Sequence, residues 1–143
     1  MTAHSVASTT TTAAVGWGVA IGAAQAMLAL TFWWLDAATV HALMITLIAA
    51  VYLGFAVSDG RANVILAESI VVVVFFIAAA AAVAATPWLL VVIYLGHGAK
   101  DLWQHRHHFV HGTRWWPPFC FAVDVTVAAI ITSQILLGVQ FTP

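Results

Sequence analysis

This sequence contains very few charged residues. Lysine and arginine together number four and aspartate and glutamate five, so that 6% of the residues are charged and 64% are hydrophobic. About a quarter of the residues in a soluble domain are charged, so this composition excludes an ordinary soluble fold. The mean hydropathy of +1.04 indicates an integral membrane protein, whose partner is the lipid bilayer. The net charge of -1 argues against nucleic acid as a partner.

Cysteine is nearly absent as well. The single cysteine, Cys120, excludes an internal disulfide and a CxxC metal or redox site. Residues 1–12 contain no lysine or arginine and are rich in threonine. Because a secretory signal peptide begins with basic residues, we expect the first hydrophobic segment to be retained. We expect residues 1–12 to form a disordered cytoplasmic tail.

Hydropathy and helix breakers divide the remaining chain into five apolar segments. Each is about 20 residues long, which is the length that crosses a bilayer as a helix. Asp36 and the turn Asp59-Gly60-Arg61 mark two junctions, and Pro87 and Pro117 stand where a proline can start a helix. The predicted spans are residues 13–35, 38–58, 62–85, 87–106 and 117–140. The sequence therefore predicts an all-α, polytopic membrane protein with a single five-helix domain over residues 13–143.

The basic residues predict how this bundle is oriented. Arg61, Lys100, Arg106 and Arg114 map to the connection between the second and third spans and to that between the fourth and fifth. An odd-even count places both connections on one side of the membrane. The positive-inside rule makes that side cytoplasmic. We expect a plasma-membrane protein with its N-terminus in the cytoplasm and its C-terminus outside.

A short internal repeat is visible in the second and fourth spans. Residues 52–59 read YLGFAVSD and residues 94–101 read YLGHGAKD, so Tyr, Leu, Gly and Asp recur in register. An acid follows each copy on the next helix, Glu68 in one case and Asp124 in the other. This pattern favours a duplicated helical hairpin, related by an axis along the membrane normal, although four identities in a biased sequence also arise by chance.

Three carboxylates fall inside the predicted spans. A charged side chain at the centre of a bilayer costs a few kcal/mol, so such residues are functional candidates by default. At 1.5 Å per residue, Glu68 lies roughly 9 Å and Asp124 roughly 10 Å from the cytoplasmic starts of their helices. Asp101 reaches the same depth from the opposite chain direction, and His97 precedes it by one helical turn. We expect these side chains to share one polar layer.

The first interpretation of this layer is catalytic. Glu68 or Asp124 would be the acid, and His97 and Asp101 would relay or accept the proton. Carboxylates held together away from water can share protons, so one donates while its neighbour accepts. Aromatic rings that turned inward would stabilise developing positive charge by cation–π attraction, although tryptophans near span ends are also typical of interfacial belts. The candidate substrate contacts are Tyr94, Trp103, Trp115 and Trp116.

The second interpretation is a metal site. Imidazole combined with carboxylate suits iron, copper or zinc. The candidate ligands are His97, Asp101, His105, His107, His108 and His111. Residues 105–111, HRHHFVH, are similar to one histidine box of membrane di-iron desaturases and hydroxylases, but the other boxes are missing, since the remaining histidines, His4, His41 and His97, each stand alone. No complete di-iron site is expected, and a single metal ion or a haem axial ligand stays open as the cofactor.

The third interpretation is structural. Asp101 would pair with Lys100 or Arg106, and Glu68 would form a hydrogen bond across helices. The histidines would then be residues of an interfacial loop.

The last third of the chain resembles a group of small, uncharacterised bacterial membrane proteins. The stretch from Gly96 to Asp124 reads GHGAKDLWQHRHHFVHGTRWWPPFCFAVD. Those proteins carry an HGxxDxxxH helix followed by a WxPxxCxxxD-like helix, and Cys120 fits this pattern if the spacing varies. The resemblance brings no established activity. It implies one motif that contains His97, Asp101, His105, Trp116, Pro118 and Asp124.

These observations predict an enzyme that acts on a lipophilic small molecule by general acid–base proton transfer. The substrate would be an isoprenoid, polyene or epoxide and the reaction an isomerisation, cyclisation or hydrolysis. In helix count and in pairing acids with His and Trp, the chain is similar to five-helix sterol isomerases and small membrane terpene cyclases. The alternatives are a non-enzymatic accessory or metal- or haem-binding subunit of a membrane complex, and a proton-coupled transporter. A transporter would need a homo-oligomer, because five helices are few for alternating access.

Overall fold

Residues 3–141 are described by a computed structural model, and within this range the chain is all α-helical. Five helices follow one another, as the sequence predicts. Four of them contain a stretch that is long and apolar enough to cross a membrane, and α4 is the exception because its second half is polar. The helices are α1 (Ala3–Leu28), α2 (Ala37–Asp59), α3 (Ala62–Ala85), α4 (Pro87–His107) and α5 (Trp116–Leu136).

The predicted junctions have a local chemical origin. The Asp36 carboxylate caps α2 by accepting a hydrogen bond from the backbone N–H of Thr39 at 2.8 Å. Gly60 ends the same helix in the left-handed conformation, with φ of 80°. Thr86 caps α4, and Pro87 is its first residue. The capping residues therefore set the start of α2 and of α4 close to the predicted positions.

The outer helix ends differ from the prediction. Helix α1 begins at Ala3, so residues 3–12 are helical and not a disordered tail, while residues 1 and 2 lie outside the described range. No glycine or proline interrupts residues 3–15, and alanine favours the helix. Helix α1 ends at Leu28, short of residue 35, because the Thr31 hydroxyl and N–H both bond to the Leu28 carbonyl and close the last turn.

The C-terminal helix also stops early. Helix α5 ends at Leu136, and Gly138, with φ of 79°, turns the chain away from the helix axis. The chain then folds back so that the Phe141 carbonyl accepts a hydrogen bond from Ala38 N at 3.1 Å. The buried Phe141 ring lies 6.0 Å from the His41 imidazole. This return contact closes the core at the α2 end.

Helix α4 is the centre of the bundle. It packs against α5, α3 and α2, whereas α1 packs on the outer side of α5. Small residues allow the α1–α5 contact, because Gly18 and Gly22 bring two backbones together. A Cβ atom at Gly18 would lie 2.4 Å from the Phe119 carbonyl oxygen, and one at Gly22 would lie 2.8 Å from that of Val123. Such small-xxx-small spacing is typical of tightly packed membrane helices.

One end of the bundle, which we call the basic end, carries the α2–α3 turn and the α4–α5 loop. Arg61 binds the Asp59 carboxylate at 2.6 Å and donates a hydrogen bond to the Phe109 carbonyl, also at 2.6 Å. Asp59 in turn accepts from the His111 backbone N–H at 2.8 Å. The hydrogen bonds to Asp59 raise the pKa of Arg61. This clasp joins the two connections that the charge pattern predicts on one side.

The prediction that Lys100 lies in the connection between the fourth and fifth helices is wrong. Lys100 does not belong to a connection but lies within α4, where its side chain is 14% exposed and faces the bundle interior. The orientation relative to a membrane and the duplicated hairpin both stay predictions.

Replacement of Gly18 by alanine is expected to destabilise the protein by about 1 to 3 kcal/mol, because the added methyl overpacks the α1–α5 contact. The matched control is Gly16→Ala on the same helix, where no atom lies within 4 Å of the new Cβ. Removing a helical glycine there should be neutral or should stabilise by about 0.5 to 1 kcal/mol. Melting curves of the two variants in detergent measure the difference. Equal melting temperatures would contradict the close α1–α5 contact.

Candidate functional site

The buried face of α4 carries the polar residues of the site. His97 and Asp101 are fully buried and Gln104 is 3% exposed. Their spacing of four and three residues places them on one side of the helix. His105, the last residue of the HGxxDxxxH motif, is instead half-buried and lines the loop cavity, so the buried polar face ends at Gln104.

His97 lies between two carboxylates. Its Nδ1 atom is 2.8 Å from Asp124 Oδ2 on α5 and 3.5 Å from Asp101 Oδ2 one turn along α4. All three side chains are completely excluded from solvent. The rings of Phe75 and Tyr52 cover the imidazole at 5.0 and 5.8 Å between centroids. The structure thus brings together three of the four predicted catalytic residues, which we call the His97 cluster.

Several polar atoms of the His97 cluster have no hydrogen-bond partner within the described part of the chain. They are both carboxylate oxygens of Asp101, Oδ1 of Asp124, Nε2 of His97 and the neighbouring Tyr52 hydroxyl. Buried polar groups in proteins are almost always hydrogen-bonded. The cluster therefore has free capacity for protons, water or an ion.

Glu68 forms a separate ion pair. Its Oε2 lies 3.0 Å from Lys100 Nζ, and its Oε1 accepts a hydrogen bond from the Gln104 amide. Lys100 Nζ also lies 3.7 Å from the centroid of the Tyr52 ring, within the range of cation–π attraction. These contacts join α3 to α4 and α2. The expected partner of Lys100 was Asp101, and the structure gives it Glu68 because that carboxylate comes from the facing helix.

The buried region carries excess negative charge. Glu68, Asp101 and Asp124 bring three carboxylates into it, and Lys100 brings one ammonium group, which Glu68 already binds. Two carboxylates therefore have only His97 as a countercharge. An unpaired charge inside a protein is costly, so the site must take up a proton or another cation.

Of the four predicted substrate contacts, the three tryptophans are exposed or partly buried, whereas Tyr94 lies on the buried face of α4 three residues before His97. Trp103 and Trp115 are about half exposed, at 46% and 52%. Trp116 is partly buried and packs on Phe55, with ring centroids 5.4 Å apart. Tyr94 is fully buried, donates a hydrogen bond to the His41 carbonyl at 3.1 Å and accepts one from Gln25 at 2.9 Å. None of the described ring contacts joins these four residues to His97, which Tyr52 and Phe75 cover instead.

The His-rich segment does not extend the His97 cluster. His105, His108 and His111 line a cavity of about 330 Å³ at the basic end, and His107 stacks near the Trp103 ring at 5.2 Å. Within the part of the chain that the structure describes, the one group with ligand atoms close enough for a single ion is His97, Asp101 and Asp124, all within 4.8 Å of one another. Of the six candidate ligands, only His97 and Asp101 therefore belong to this group, and Asp124 completes it.

Sequence reasoning missed Tyr52, Gln104 and Phe75 as parts of the buried region, and it gave Lys100 a different partner. The sequence does contain a signal that could have identified Tyr52, because this residue is the first of the repeated segment YLGFAVSD. Helical spacing could have identified Gln104, because it lies seven residues after His97 and therefore on the same face of the helix. Phe75 had no such signal, because it belongs to a uniformly apolar helix.

No protein-family model, curated protein or solved structure matches this chain. The site is therefore interpreted from its own geometry, and the resemblance carried by the last third of the sequence stays a prediction.

Replacement of Lys100 by methionine should leave the Glu68 charge buried without a partner. The expected loss is roughly 3 to 5 kcal/mol of unfolding free energy. Combining Lys100→Met with Glu68→Gln removes both charges and should recover most of the loss. Arg106→Met, an exposed change on the same helix, is the control and should stay within about 0.5 kcal/mol of wild type. Unfolding in detergent compares wild type, the two single variants Lys100→Met and Glu68→Gln, the double variant and the control, and additive single effects would contradict the pair.

Proposed function

We propose that this chain is a polytopic membrane protein whose five helices cross the bilayer. Four helices have the length and hydropathy to do so, and α4 has its polar face covered by its neighbours. The outward surface of α3 supports this proposal, because its large apolar residues are more than half exposed. Contiguous apolar patches of that kind are rare on soluble monomers. The exposed apolar residues of α3 include Leu66, Ile70, Val73, Val74, Phe76 and Ile77.

Within this bundle the chain acts as an enzyme on a lipophilic small molecule, by general acid–base proton transfer at the His97 cluster. The observation that carries the proposal is His97, held by Asp124 through Nδ1 with Nε2 unpartnered. A carboxylate that accepts the Nδ1–H bond orients the imidazole and leaves the Nε2 lone pair free to accept a proton. Asp124 is then the orienting group and His97 the base.

Asp101 supplies the second proton site. Its two oxygens have no hydrogen-bond partner among the described residues, and Oδ2 lies 3.5 Å from His97 Nδ1. Excess negative charge favours a proton held between Asp101 and Asp124, and a shared proton can be donated as well as accepted. Glu68 fits the acid role less well than Asp124, because Lys100 and Gln104 hold it as an ionised partner.

The surroundings suit a lipophilic substrate. The outer faces of the bundle are apolar, so a molecule that reaches this centre arrives from the bilayer. Isoprenoids and polyenes are classes on which proton transfer alone gives isomerisation or cyclisation, and an epoxide is hydrolysed when water adds as the nucleophile to the protonated ring. The Phe75 and Tyr52 rings beside His97 would stabilise positive charge developing on such a substrate.

Metal binding is the second candidate function, and one observation favours it. His97, Asp101 and Asp124 each offer a ligand atom, and these atoms all lie within 4.8 Å of one another. One imidazole with two carboxylates on facing helices suits a divalent transition metal. Elemental analysis of protein purified without an affinity tag separates the two candidates. A stoichiometric metal that Asp101→Asn abolishes would favour the metal site over the proton site.

Asp124→Asn and Asp101→Asn keep the shape of the side chains but remove the titratable groups. Each is expected to lower turnover by about 10² to 10⁴-fold while the protein still folds. Purified protein in vesicles is incubated with a lipid extract in D2O, and mass spectrometry follows species that gain solvent deuterium. Asp36→Asn, a change at a helix cap away from the cluster, is the control. Deuterium uptake that persists in both variants would refute the acid–base role.

Membrane orientation is tested separately. In a Cys120→Ser background, His107→Cys and Leu137→Cys each place one thiol at an exposed position. Because the basic end is expected to face the cytoplasm, an impermeant thiol reagent outside whole cells should label the second variant and not the first. Labelling of both from the same side would contradict the five-span topology.

A further inference from the structure

We propose that the basic end binds an anionic phospholipid, with its headgroup in the polar cavity beside Arg114 and one acyl chain in an apolar groove between α1 and α5. The inference rests on the proposed membrane embedding but not on the acid–base chemistry of the His97 cluster.

The cavity is built to receive a negative group. It has a volume of about 330 Å³ and lies where α4 passes into the α4–α5 loop. Arg114 and the imidazoles of His105, His108 and His111 line it, together with Thr113. No carboxylate lines it among the described residues, although Asp59 lies behind one imidazole, with Oδ2 3.4 Å from His111 Nδ1. Guanidinium and imidazole N–H groups are the usual donors to phosphate oxygens.

The charge of Arg114 is available to a ligand. Among the described residues Arg114 has neither an ion pair nor a hydrogen bond of its side chain, and it is exposed. Arg61 and Lys100 differ, because Asp59 and Glu68 respectively neutralise them. Arg114 therefore keeps a full positive charge at the cavity, where a phosphate would complement it.

Gln104 adds a second polar contact. It is 3% exposed and lines the cavity, and its Oε1 has no partner among the described residues. Its Nε2 is already bonded to Glu68, so the unfilled atom is an acceptor. An acceptor beside an anion site suits a headgroup that carries both a phosphate and a hydroxyl, such as phosphatidylglycerol.

Trp115 connects the cavity to an apolar groove. The same residue lines both, and the groove, of about 410 Å³, is formed entirely by apolar side chains of α1 and α5. Its other lining residues are Ala13, Ala14, Trp17, Ile21 and Phe119. An indole at the boundary between a polar and an apolar space is typical of the membrane interface. A molecule with a charged head and an apolar chain would occupy the two spaces at once.

The position of the site agrees with this occupant. Arg61, Arg106 and Arg114 lie at the same end of the bundle, and the positive-inside rule turns that end toward the cytoplasmic leaflet, where anionic lipids are enriched. Charge complementarity therefore favours an anionic phospholipid over a zwitterionic one.

The test measures quenching of tryptophan fluorescence by lipids with brominated acyl chains, added to the folded protein in a nonionic detergent. Brominated phosphatidylglycerol should quench, and replacing both tryptophans that line the groove, Trp17→Phe together with Trp115→Phe, should remove most of the effect. Brominated phosphatidylcholine should quench at least about tenfold more weakly at equal concentration, since it lacks the net charge. Equal quenching by both lipids would overturn the proposal.

Two variants and one control locate the head and the chain. Arg114→Gln should weaken the apparent affinity for phosphatidylglycerol by about tenfold or more, because a charge-assisted bond is lost. The matched control Arg106→Gln removes the same charge from an exposed residue that does not line the cavity, and it should change affinity by less than about twofold. Ala13→Phe fills part of the groove and should reduce quenching without altering charge or adding a tryptophan. Equal losses in Arg114→Gln and Arg106→Gln would indicate general surface charge and overturn the site.

Two further measurements distinguish a lipid phosphate from a free phosphate ion, and the lipid site from the acid–base chemistry of the His97 cluster. Inorganic phosphate that displaces the lipid fully at equal concentration would mean that the cavity selects a free ion, and would overturn the lipid assignment. Asp124→Asn should bind phosphatidylglycerol as wild type does. If the folded wild-type protein fails to bind it, the lipid inference is wrong, whatever the D2O experiment shows for the His97 cluster.

Discussion

Burial of the polar face of α4 is the constraint on which the rest of the structure depends. His97, Asp101 and Gln104 occupy one side of that helix, and lipid could satisfy none of them. Each neighbouring helix therefore presents a polar partner toward α4, Asp124 from α5 and Glu68 from α3. This explains why the least apolar helix lies at the centre, while the most apolar helix, α3, exposes most of its surface.

The buried charged residues form two groups, one with equal numbers of positive and negative side chains and one with an excess of carboxylates. Lys100 forms an ion pair with Glu68, which also accepts a hydrogen bond from Gln104, and these contacts join three helices. The His97 cluster a turn away has two carboxylates, one imidazole and free lone pairs. A protein that needed only stability would replace such a cluster by apolar residues, because burying charge seldom repays its desolvation. That contrast is the reason for assigning proton chemistry to the His97 cluster and anchoring to the Glu68 pair.

Much of the fold could be predicted because its causes are local. Asp36, Gly60 and Thr86 set helix ends through their own side chains or backbone, and these junctions lie close to where the sequence predicts them. The predicted bounds of α1 and α5 were wrong. The start of α1 depends on the helix continuing through residues 3–12, and the end of α5 depends on the return of Phe141 to α2. The contact of α1 with α5 through Gly18 was not predicted, because a small residue carries no mark of which helix it faces.

The sequence alone determined the all-α class and the number of helices, because hydropathy and helix caps act along one chain. Only the tertiary structure decided which charges meet. Rotation of each helix about its axis and the choice of neighbour placed Lys100 on Glu68, left Asp101 with His97, and turned His105 toward the loop cavity. These depend on packing between helices far apart in sequence, which residue spacing within a single helix cannot encode.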